Sequence, residues 1–167
     1  MAKKHWKTNQ AILLVGEGAD EAAFLNHVKS IFVHRDSGKS VKVKNAQGKG
    51  ATHVVEWAVR QLANSKYNLV AVMVDTDTGW TQEAQQKAAD QNILLLPSEP
   101  CFEAVMLRTL CKRDTGDSQT LKRRFAPYVR NRSTESESYQ DHFGREDLLA
   151  NRFRDPAIDR LLKILGV

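Results

Sequence analysis

The sequence predicts an α/β protein: a mainly parallel, four-stranded sheet flanked by helices, with a helical C-terminal part. Four short apolar or alternating runs, "AILLV", "SVKVK", "LVAVMV" and "NILLLP", are separated by segments whose apolar residues recur at helical spacing. The order β-α-β-α-β-α-β is the one a parallel, helix-covered sheet requires. A length of 167 residues fits one core of ordinary size, so residues 1–167 are read as a single domain.

Ala11 to Val15 is continuously apolar and is closed by Gly16 and Gly18, as expected of a strand buried on both faces. From Asp20 to about Phe32, Ala23, Phe24, Val28 and Ile31 mark the inner face of an amphipathic helix. "SVKVK" alternates like an edge or half-buried strand, and "NAQGKG" is a loop. Val54, Val55, Ala58, Val59 and Leu62 then keep a helical period up to Asn64. Leu69 to Val74 is the third strand. A polar helix from about Thr81 to Asp90 leads to the fourth, which Pro97 is expected to stop. Pro100 suits the first position of the next helix, with Glu99 or Ser98 as its cap and Glu103 on the face shared with Glu99. "CFEAVMLRTL", "SQTLKRRFAPYV", "DHFGREDLLANRF" and "PAIDRLLKIL" read as helices, and the polar "NRSTESESYQD" as a mobile loop.

With 41% hydrophobic and 27% charged residues, the composition is that of a soluble globular protein, which excludes disordered and fibrous classes. The net charge of +5 points mildly to an anionic partner. Cys101 and Cys111 lack metal-ligand spacing and read as structural thiols in a reducing compartment. "MAKKHWK" looks like a signal-peptide n-region, but "AILLV" is too short for an h-region or a membrane span, so a cytoplasmic location without membrane contact is expected. The five histidines share no site-like spacing, and Trp57 and Trp80 read as core or rim packing rather than base-stacking platforms.

Chemistry concentrates at three strand ends. The first strand ends at Glu17, with Glu21 one helical turn later; the third ends at Asp75 and Asp77; the fourth leads to Glu103. Each acid has a bland alternative, since Asp20 and Glu21 complement a helix dipole and Asp75 can cap a turn. Ligands of parallel sheets lie at the carboxyl ends of the strands, however. Carboxylates brought together there repel one another unless a cation intervenes, and an all-oxygen cage suits Mg²⁺ or Mn²⁺.

These stretches resemble a known family. "VGEGADEAAFL" resembles the first motif of Toprim domains, especially of OLD-family nucleases, and "VDTDTG" resembles the Toprim Asp-x-Asp motif. "SEPCFEAVML" resembles the "SNPCFELWLL" signature of RloB-like proteins, a Toprim-related family found near restriction and phage-defence genes. The resemblance implies a Toprim-like fold and Mg²⁺- or Mn²⁺-dependent nucleotidyl transfer or phosphodiester hydrolysis on RNA or DNA. It places Glu17, Asp75 and Asp77 in the catalytic, metal-binding set, with Glu21 and Glu103 as further metal-site acids; Glu17 acts as a ligand or as a general base or acid. It also implies nucleic acid, an ATPase protein and a second copy of the chain as partners.

Between Arg108 and Arg132 eight basic residues face two acids. Lys122, Arg123 and Arg124, with Lys49 of the glycine-containing loop, are the expected nucleic-acid contacts, against the alternative of a solvated basic helix. Two rival functions remain. One is a haloacid-dehalogenase-like phosphatase, because "VMVDTDTG" fits that superfamily's strand-DxDxT motif with Asp75 as nucleophile and Asp77 as acid. The other is a Toprim-fold module that binds nucleic acid or a protein without catalysis.

Overall fold

The computed structural model describes residues 10–167, so the basic N-terminal heptad and His5 lie outside the described residues. The chain runs β1 (Gln10–Gly16), α1 (Ala19–Phe32), β2 (Lys39–Asn45), α2 (Gly50–Asn64), β3 (Leu69–Asp75), α3 (Gln82–Asp90), β4 (Ile93–Ser98), α4 (Phe102–Thr109), α5 (Ser118–Phe125), α6 (Arg145–Asn151) and α7 (Pro156–Ile164). All four strands are parallel, in the order β2-β1-β3-β4.

β1 is interior and apolar on both faces because both are covered. Ile12 and Leu14 join α1 and the C-terminal helices in one core, while Leu13 and Val15 join α2 and α3 in the other; all four are 0% exposed. Val41 of the edge strand β2 is buried between exposed Ser40 and Lys42, as its alternation predicts. The buried face of α1 is wider than its periodicity suggests, taking in Glu21, Leu25, His27 and Phe32. His27 is a satisfied core residue, its Nε2 2.8 Å from the Phe143 carbonyl oxygen, and burial lowers its pKa. Trp57 and Trp80 pack at the rim of the second core. Among the described residues no helix is long and apolar enough to cross a membrane.

Three local expectations are corrected. Pro97 does not stop β4; it pairs with Val74, and Ser98 pairs with Asp75. β4 is an edge strand, so one side of its backbone has no neighbour to donate to and a proline is accommodated. The next helix is not capped by Glu99 or Ser98 either. The chain bends at Glu99 and Pro100, so Pro100 lies before α4 and not at its first position, while the Ser98 and Pro100 carbonyls accept the N–H groups of Thr76 (3.0 Å) and Asp77 (3.1 Å), and Cys101 becomes the N-cap. Glu99 is therefore exposed outside α4 and shares no helical face with Glu103. Finally, the polar stretch 131–141 is a loop with its own fastening. Tyr139 is fully buried, 5.5 Å from the Phe24 ring centre, and its hydroxyl donates to the Ser133 carbonyl at 2.7 Å.

The strand order places the site. β1 leads through α1 to β2 on one side, and β3 leads through α3 to β4 on the other. Adjacent strands β1 and β3 thus send their connections apart, leaving the crevice in which open α/β sheets hold ligands.

If Tyr139 fastens the loop, Tyr139→Ala should cost about 3 kcal/mol, as for other buried aromatic truncations, and lower Tm by roughly 10 °C. Tyr139→Phe, which loses only the hydrogen bond, should cost about 1 kcal/mol. Thermal melts of both check this; an unchanged Tm in Tyr139→Ala would refute the fastening.

Candidate active site

The turn from β1 into α1 is closed by Gly16, where an added Cβ would lie 2.5 Å from the Ala22 backbone nitrogen. No other residue fits that approach without moving the helix. Glu17 follows and holds three segments together. Its N–H donates to the Met73 carbonyl (3.0 Å) and its own carbonyl accepts from Gly48 (2.7 Å). Its carboxylate accepts the N–H of Gly50 on Oε1 (3.1 Å) and the N–H of Asp75 on Oε2 (2.9 Å).

The segment held in this way is unusual. Gln47, Gly48, Lys49 and Gly50 all have positive φ, at 64°, 79°, 77° and 82°. Two are glycines, for which this conformation carries no steric cost; at Gly50 an added Cβ would also come within 3.1 Å of Thr78. The start of α2 is therefore occupied: Glu17 takes the Gly50 donor and the Thr78 carbonyl takes that of Ala51 at 3.1 Å. Lys49 is the N-cap residue of α2, in this same turn.

Around Glu17 the structure gathers the other acids expected from the sequence. Glu21 is buried in the first turn of α1, where its Oε2 accepts the Gly18 N–H at 2.9 Å. Burial pushes its pKa up to about 7, against hydrogen bonds from its own and the Gly18 backbone and with help from Glu17 and Asp20. Asp75 ends β3, and burial raises its pKa to about 8, followed by repulsion from Glu21, Glu17, Asp77 and Glu103 in that order. Its Oδ1 is buried without a hydrogen-bond partner among the described residues. Asp77 is exposed and accepts the Ser118 hydroxyl of α5 at 3.4 Å. Glu103 is buried in the first turn of α4, beside Cys101, whose thiol burial pushes up to about 12.

Asp75 thus lies within reach of the charges of Glu17, Glu21, Asp77 and Glu103. As the side chains stand, no three His, Cys, Asp or Glu residues among the described ones are grouped to hold a metal ion. Glu17 and Glu21 are turned to backbone donors instead.

The basic residues divide. Arg108 pairs with Asp114 (2.8 Å) and Asp155 (2.5 Å), and Arg130 pairs with Asp141 (2.7 Å). Arg124 is turned onto the Thr115 carbonyl, and Arg123 is exposed on α5. Lys122 alone of its triplet lines a pocket with Glu103 and Asp20. Sequence reasoning missed Ser118 and Arg132 as members of the site: the first has only an N-terminal position in a helix as its signal, and the second is one arginine among eight basic residues.

No family model, curated protein or solved structure matches the chain.

At Asp75 and Glu21 together the folded state holds more protons than the unfolded chain between about pH 4 and pH 8, and His27, whose pKa burial lowers from its ordinary value of 6.5, offsets only part of this. Stability of the metal-free protein should therefore fall as pH rises through that window. Asp75→Asn should flatten the fall and melt ~3 °C or more above wild type at about pH 8. Melts in chelator across pH test this; identical slopes would show that Asp75 does not carry the strain.

Proposed function

We propose that the chain is a Toprim-like, RloB-like metal-dependent phosphodiesterase acting on RNA or DNA. The observation that carries the reading is Asp75: a carboxylate at the β1/β3 crevice, crowded by four others, with a buried oxygen that no donor among the described residues satisfies. Such a group is costly to keep in a fold that makes no use of it.

The donor set fits a hard divalent cation, since every group is a carboxylate and one oxygen is unclaimed. Asp75, Asp77 and Glu17 would hold Mg²⁺ or Mn²⁺, with Glu21 and Glu103 completing the acidic edge. When bound, such an ion neutralises charge on the scissile phosphate and lowers the pKa of an attacking water. To hold a cation, Asp75 would give up the proton that its raised pKa lets it keep near neutral pH. Glu17 keeps its direction because two backbone donors fix its carboxylate, and each oxygen retains a lone pair for a ligand or for a proton taken as general base. Lys122 supplies positive charge beside acids that would otherwise repel a polyanion. The expectations of an ATPase partner and a phage-defence context belong to this same reading.

A second reading has its own support. The carboxylates are not grouped at ligand spacing as they stand, which suits a module that binds nucleic acid or a protein on the same fold without cutting.

Purified protein incubated with Mg²⁺ or Mn²⁺ and a panel of tRNA, single-stranded and duplex substrates decides between them. The hydrolase reading expects chelator-sensitive cleavage that drops ~100-fold or more in Asp75→Ala. Binding without cleavage, or cleavage equal in Asp75→Ala, would transfer the case to the binding module.

A further inference from the structure

Next to the acidic edge, α5, the turn after it and residues 131–134 enclose a pocket of about 500 Å³. Glu103 belongs to both the pocket and the acidic edge, so whatever fills the one lies against the other. Lys122 and Arg132 line it, and neither makes an ion pair among the described residues. Phe125, Ala126 and Val129 give it an apolar side.

The wall is built rather than loose. Ser133 donates to Asp20 at 2.8 Å, and its carbonyl accepts the hydroxyl of buried Tyr139 at 2.7 Å. The segment bearing Arg132 is thereby tied to α1 and to the core.

Two cations that are unpaired among the described residues, set against Asp20 and Glu103 in the same lining, with an apolar side and a polar rim, suit a nucleotide: phosphate on the cations, base and sugar on the apolar side, base edges on the polar rim. The volume suits one such unit. A base still paired and stacked in a duplex would first have to be extruded, whereas an unpaired one enters without that cost. We propose that this pocket receives one unpaired nucleotide, with Lys122 and Arg132 on its phosphate and Phe125, Ala126 and Val129 against its base or sugar. On the hydrolase reading, the bond cut is then one that flanks an unpaired nucleotide.

Mononucleotides test the pocket separately from the chemistry, because they contain no phosphodiester to cleave. Each ribonucleoside 5′-monophosphate, with dAMP, adenosine and inorganic phosphate for comparison, is titrated into the full chain with and without Mg²⁺. Saturable binding of at least one nucleotide is expected, about tenfold tighter than adenosine or phosphate alone. Lys122→Ala and Arg132→Ala should each weaken it about tenfold. Ala126→Trp, at an exposed position, should block it by filling the pocket. The ratio of AMP to dAMP affinity reads whether the sugar hydroxyl is used. Absence of saturable binding, phosphate binding as tightly as any nucleotide, or full affinity in Ala126→Trp overturns the proposal. If Ala126→Trp does not fold by circular dichroism, unchanged affinity in both alanine variants overturns it equally. Nucleotide binding without Asp75-dependent cleavage sinks the hydrolase reading alone, and cleavage without nucleotide binding sinks the pocket alone.

Discussion

The carboxylate of Glu17 is the constraint on which the rest of the site depends. It bonds the first residue of α2 and the last residue of β3, while its own backbone bonds Met73 and Gly48. Bonds to a charged acceptor are worth about 1.5–3 kcal/mol each. They also explain how a run of four left-handed residues is held in place, since two of the donors, Gly48 and Gly50, lie within that run. The same bonds place a negative charge at the end of β3, and Asp75 inherits the consequence.

Glu21 and Asp75 show the other side of that arrangement. Both are lifted toward or above neutral pH by burial first and by neighbouring acids second. Among the described residues no basic side chain is paired with either acid: Arg108, Arg130 and Arg152 are committed to Asp114, Asp155, Asp141 and Asp159. The acidic edge is left strained, with positive charge at its side through Lys122 and Arg132. On the proposed reading, a divalent cation would relieve this crowding of carboxylates.

Most of the architecture was legible in the sequence because period and punctuation agreed. The continuous runs "AILLV" and "LVAVMV" became the interior strands β1 and β3, and the alternating "SVKVK" became one edge; "NILLLP", equally continuous, became the other edge with Leu94 exposed. The failures were tertiary. Pro97 stays in β4 only because that strand has a single neighbour, a fact no local pattern contains. Cys101 caps α4, and the carbonyls of Ser98 and Pro100 before it are claimed by Thr76 and Asp77 in the turn after β3. The 131–141 loop is fastened by Tyr139, which packs on Phe24 and Phe102 far away in sequence, and by Ser133 on Asp20. At the site, the acids were legible as strand ends, and their mutual repulsion followed. Which oxygens are spoken for by backbone donors, and which arginines are spent on aspartates, depended on contacts distant in the chain.

The claim that this edge is built for a cation is tested most directly by calorimetric titration of Mn²⁺ into the metal-free protein, in buffers of differing ionisation enthalpy. Because Asp75 and Glu21 hold protons near neutral pH, the account predicts saturable binding with net proton release, tightening as pH rises and lost or strongly weakened in Asp75→Asn. Titrations that show no saturable binding, or the same binding and proton release in Asp75→Asn, would contradict it.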